Sequence, residues 1–153
     1  MKPKLEKEAI SQESIKLFDN NLNNLTKAIN NKKHFELLVK ANDLTLNLAF
    51  FIDELADKTL AAINTSKYYT RKIVLDMVNE NIKIAMKNIP KLKNEIEKIN
   101  IKLVDKNNKE LKTKLISSLN DLENAISFKD FNVVKIKASL LIKNINRAKE
   151  RLS

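Results

Sequence analysis

Glycine and cysteine are both missing from this 153-residue chain, and there are only two prolines and one histidine. Each shortage excludes something. Tight hairpins of β-proteins and phosphate-cradling loops depend on glycine, so neither a compact β-fold nor a Walker-type or dinucleotide loop is available here. Lack of cysteine removes disulfide frameworks, thiolate metal sites and cysteine nucleophiles, while leaving the redox compartment open. With His34 alone, a di-iron bundle needing Glu-x-x-His on two helices cannot be built, and any His-dependent triad would have to form around a turn residue. The densest acidic group is Asp53, Glu54 and Asp57; Asp53 and Asp57 stand one helical turn apart beside Lys58 and read as a solvated face. No catalytic constellation emerges, so the expectation is a non-enzymatic protein with no cofactor and no metal.

No apolar run approaches the ~20 residues of a membrane span. The densest, "LAFFI" at 48–52, is far shorter. The start, "MKPKLEKEAISQES", lacks the apolar centre of a signal peptide, which leaves two locations open: cytoplasmic, or extracytoplasmic with an export signal removed.

What the sequence does contain is apolar spacing by threes and fours almost throughout, the mark of amphipathic helices. The expected fold is all-α: an antiparallel bundle of five to six helices built from two helix hairpins, in one domain over 1–153, with 1–10 flexible. A first helix over about 11–30 carries Ile15, Phe18, Leu22, Leu25 and Ile29 on one stripe. A long second helix over 34–63 is apolar around most of its circumference, which predicts a central position. "NTS" at 64–66 offers N-cap chemistry for a third helix over 66–88, with Val74, Val78, Ile82, Ala85 and Ile89 inward. Pro90 fits the first turn of a fourth helix, over 90–104, with a kinked continuous helix as the alternative. A fifth helix spans 110–126. The last spans 129–152, with Phe131, Val134, Ala138, Leu141, Ile145, Ala148 and Leu152 at alternating threes and fours.

"LTKAINNKKHF" at 25–35 returns as "LENAISFKDF" at 122–131, shorter by one residue. Both copies read as the last turn of one helix, a short polar turn and the Phe that begins the next. A connection that short forces neighbouring helices antiparallel. The repeat is therefore a helix-hairpin corner, with Ile29 and Phe35, and Ile126 and Phe131, expected to pack across it.

The net charge of +10 is unevenly distributed. Residues 1–63 hold nine Lys against nine Asp/Glu, and 94–128 balance at six and six, whereas 67–93 and 129–153 each hold seven basic residues against two acidic. Of the 29 cations 26 are Lys, in a chain also rich in Asn and Ile, so AT-rich codon usage accounts for part of the excess. Two functional surfaces follow. One is a candidate anion-binding set: Lys67, Tyr69, Arg71 and Lys72 in "SKYYTRK", then Lys83 and Lys87, joined by Lys135, Lys143, Arg147 and Arg151 of the last helix. Cations beside an aromatic can grip phosphates and stack bases, and Tyr69 is expected to be at least partly exposed beside Lys72, Lys83 and Lys87, with Tyr68 inward. The other is a second apolar ridge on the last helix, Val133, Ile136 and Leu140, which demands either a second neighbour in the bundle or an external partner. The leading expectation is an interaction module binding a protein or itself. The alternative is electrostatic binding of nucleic acid, an anionic membrane or another anionic polymer. A pocket between helices for a small ligand ranks third.

Overall fold

The computed structural model describes residues 10–55 and 57–152. The flexibility expected of the N-terminal segment falls on residues that lie, apart from Ile10, outside that range. Six α-helices occur among the described residues: α1 Gln12–Asn30, α2 His34–Glu54, α3 Lys58–Val78, α4 Ile82–Asp105, α5 Lys109–Ser127 and α6 Phe131–Leu152. Each packs on its neighbour in sequence, and α6 returns to pack on α3. Helices α3 to α6 thereby close a four-helix bundle in which α4 and α6 face each other diagonally. The α1–α2 hairpin is an appendage: α2 lies on the outside of α3, and α1 lies on α2.

The core follows from the stripes in the sequence. Leu92, Ile96, Ile99 and Leu103 of α4, Leu115, Leu122 and Ile126 of α5, and Val134, Leu141 and Ile145 of α6 are all essentially inaccessible, and with Ile63 and Ile73 of α3 they form one apolar cluster. No residue of α1 or α2 belongs to it. The second helix is not central, as its apolar circumference had implied. Leu38, Leu48, Phe50 and Leu55 stay exposed, and the buried residues of α2 are Asn42, Asn47 and Ala49. The central position belongs to α3, which touches α2, α4 and α6.

Two helix boundaries differ from expectation. The break after the second helix falls at 55–57, so "NTS" lies inside α3, where Ser66 is buried; the cap is Asp57, whose carboxylate accepts from the Leu60 N–H at 2.9 Å. The next break falls at 79–81, so Ile82, Ala85 and Ile89 belong to α4, Val78 is exposed, and Pro90 sits well inside α4 rather than in a first turn. Proline there withholds an N–H from the carbonyl of Met86, and both residues are exposed, so water can take the place of the missing donor.

All five connections are three residues long, so the repeated corner is the unit of the whole chain. Four middle residues, Lys32, Glu80, Asn107 and Lys129, have positive φ of 53–57°. At three of these corners the following N–H reaches back to close the helix: Lys33 to the Ala28 carbonyl, Asn81 to Asp76 and Asn108 to Leu103. These are left-handed helix ends of the type that glycine normally supplies, here made without it. Packing across the corner holds in only one copy of the repeat. Ile126 is buried and Phe131 rests on the core, whereas Ile29 and Phe35 are exposed, because no further helix covers the α1–α2 corner.

Candidate interaction surface

The placement of α2 against α3 creates two grooves, one toward α4 and one toward α6. The groove between α2 and α6 has a volume of about 440 Å³. Its apolar lining comes from Leu38 and Ala41 of α2, Val74 and Leu75 of α3, and Ala138 and Ile142 of α6. Arg71 of α3 and Lys135 of α6 are exposed residues of its lining, and no carboxylate lines it. Asn42 is buried at its edge, donating through Nδ2 to the Tyr68 carbonyl at 3.1 Å.

Around the corner of α6 lies a second, shallower groove made by Asn132, Lys135, Ile136, Ser139, Leu140 and Lys143. This is the outer ridge. Val133, Ile136 and Leu140 are 37%, 59% and 46% exposed, so α3 and α5 cover the main stripe of α6 and no helix among the described residues covers its second ridge. It also carries cations and no acid. Two other grooves carry both signs of charge: Asp53 and Glu95 face Lys58 and Lys98 between α2 and α4, and Glu110 and Glu150 face Lys114, Arg147 and Arg151 between α5 and α6.

The candidate anion-binding residues are therefore dispersed. Arg71 and Lys135 come together, and Lys143 lies next to Lys135 on the outer face. Lys67, one turn before Arg71, has its pKa lowered by burial and then by the charges of Lys149, on α6, and Arg71. Lys149 was not among the residues singled out from sequence, because only the pairing of α3 with α6 reveals it. Arg147 and Arg151 face α5, where Arg147 helps hold the Glu110 carboxyl below its usual range, after the larger effect of Lys114. Lys83 and Lys87 belong to α4 and are exposed there, diagonally across the bundle from α6.

Tyr69 is half-buried against the core with Lys91 of α4 over its ring at 5.8 Å, so the cation on its ring is Lys91 and not one of the expected Lys72, Lys83 and Lys87. The wheel that grouped them assumed one helix over 66–88. Tyr68 is inward; burial, with help from Asp43, pushes its hydroxyl up to about 12. Lys72 is committed to an ion pair with Asp76 at 2.8 Å, and Asp76, buried, also accepts from Asn88 Nδ2 at 2.9 Å. Lys72–Asp76–Asn88 is a hydrogen-bonded clasp between α3 and α4. Changing Asp76→Asn removes the charge that both donors address, and urea unfolding is expected to register a loss of about 1–2 kcal/mol; an unchanged midpoint would mean the clasp contributes nothing net.

The acidic trio is spread over structural tasks. Asp53 pairs with Lys58, Asp57 caps α3, and Glu54 accepts from the N–H and hydroxyl of Ser11 and the hydroxyl of Ser14, which ties α1 to the end of α2. His34 is exposed at the first position of α2. No helix among the described residues is long and apolar enough to cross a membrane. Comparison with family models, with curated proteins and with solved structures found no match to this chain.

Proposed function

We propose that this protein is a non-enzymatic helical interaction module that binds another protein or a second copy of itself. The observation that carries the reading is the two-sided α6: one stripe is sealed in the core, and Val133, Ile136 and Leu140 form a ridge that no helix among the described residues covers. An apolar ridge beside an open apolar groove supports a contact surface more than it does a solvated exterior, because each of these half-exposed aliphatic residues forgoes roughly half of the ~1.5–3 kcal/mol that full burial is worth. Light scattering over a concentration series, combined with affinity capture, tests it. The wild type is expected to self-associate or to retain a protein that Ile136→Glu/Leu140→Glu does not. A monomer that retains nothing, identical to the double variant, would sink the reading.

A second reading, electrostatic binding of nucleic acid or another anionic polymer, is supported by the α3–α6 seam, where Lys67 and Arg71 stand one helical turn apart on α3 and Arg71 shares a groove with Lys135 of α6. Its footprint is smaller than the full candidate set, since Lys83 and Lys87 lie elsewhere and Lys72 is paired. Sequence-independent affinity that falls steeply with salt would favour it over the module.

A further inference from the structure

We infer that the groove between α2 and α6 receives an amphipathic, acidic helix from a different protein. This rests on the interaction-module reading and names its partner by chemistry. Three observations on the groove converge. Its floor is a third helix and its walls are two more, the arrangement that accepts a guest helix lengthwise by its apolar anchors. The lining positions run from Leu38 to Thr45 on α2 and from Lys135 to Ile142 on α6, a step of seven residues from first to last in each, which is about 10 Å of helix and matches anchors at i, i+3 or i+4, and i+7. Its charge is one-sided. Arg71 and Lys135 line it and Lys143 lies just outside, with no carboxylate in the lining, whereas the other two grooves hold their own carboxylates.

The apolar floor argues against a phosphate backbone as occupant, since only the rim would then be used. A second copy is disfavoured as well. The most acidic helix of this chain is α2, and its carboxylates are engaged at home: Glu36 with Lys33, Asp43 with Lys40, Asp53 with Lys58 and Glu54 with Ser11 and Ser14. Moreover, α2 already forms one wall of the groove.

The test is a selection from a displayed library of amphipathic helices with fixed Leu anchors and randomised flanks, with the full chain as bait. The expected outcome is enrichment of Asp and Glu at the flanks. The selected peptide, made synthetically, is then titrated by fluorescence anisotropy. Arg71→Glu/Lys135→Glu is expected to weaken it by about tenfold or more, as reversal of a complementary charge pair does, while Lys83→Glu/Lys87→Glu on α4 leaves it within about twofold. Ser139→Trp, an exposed position that fills the groove without touching the core, is expected to block it too. Enrichment of neutral or basic flanks, or equal loss in both charge-reversed variants, overturns the acidic partner while leaving the module reading intact. Recovery of no helix above the scaffold background overturns the inference, while the module reading stands or falls separately on the light-scattering and capture result for Ile136→Glu/Leu140→Glu. If laurate fills the groove at micromolar concentration and no helix is enriched, the occupant is a small anionic amphiphile, and the inference fails.

Discussion

Replacing Leu92 with alanine is expected to lower the free energy of unfolding by about 3–5 kcal/mol, while the same change at Leu48 lowers it by less than about 0.5. Both are leucines on helices of similar length. Leu92 is completely buried at the centre of α4, inside the cluster shared by α3 to α6. Leu48 sits on α2, 48% exposed, outside that cluster. Truncation in the bundle leaves a cavity whose walls are held by three other helices, so little relaxation can offset the lost contacts. Domains of this size are stable by only about 5–15 kcal/mol, so Leu92→Ala should move the urea midpoint by a large fraction of its value. Equal effects at the two positions would mean that α2 shares the core after all.

Introducing glycine into this glycine-free chain is expected to stabilise it. Lys32, Glu80 and Lys129 hold positive φ in the middle of their corners, are exposed and make no ion pair among the described residues. An L-residue with a long side chain carries about 1–2 kcal/mol of strain in that conformation; glycine carries none but has a more flexible unfolded state, which takes back about 0.4–1 kcal/mol. The net gain is about 0.5–1 kcal/mol per corner, and the corners are far enough apart to add, giving about 1.5–3 kcal/mol for the triple Lys32→Gly/Glu80→Gly/Lys129→Gly. Asn107→Gly serves as the internal control. Asparagine tolerates the left-handed region, so that change should be worth distinctly less. Thermal unfolding of the triple and of each single variant decides it; a lower Tm in the triple would show that these side chains have interactions that outweigh the strain.

The same corners explain where sequence reasoning succeeded and where it did not. Period-matched stripes such as Leu92, Ile96, Ile99 and Leu103, or Val134, Ala138, Leu141 and Ile145, were legible because the residues that form the helix face are the ones that fill the core. Breaks were not, because Lys and Glu carry no turn signal of their own. "NNKK" and "VDKNNK" showed through their run of polar residues, but Asn79, Glu80 and Asn81 passed for helix, and "NTS" offered cap chemistry that Asp57 supplies eight residues earlier. The ridge of Val133, Ile136 and Leu140 could be read from a wheel because it belongs to one helix. The groove could not. Leu38, Arg71 and Lys135 lie on three helices, and only the way α3 receives both α2 and α6 assembles them.

That closing contact has a further consequence for how the surface comes into being. Every other major packing joins helices that are consecutive in the chain, linked by three residues, so each can form with little loss of chain freedom. The seam of α3 with α6 is different, since more than fifty residues separate Val78 from Phe131. Its formation carries most of the loop-closure entropy of the fold. Because the floor and one wall of the groove lie across that seam, a nascent or partly opened chain presents helices but no groove, and competence to receive a partner arrives together with completion of the bundle.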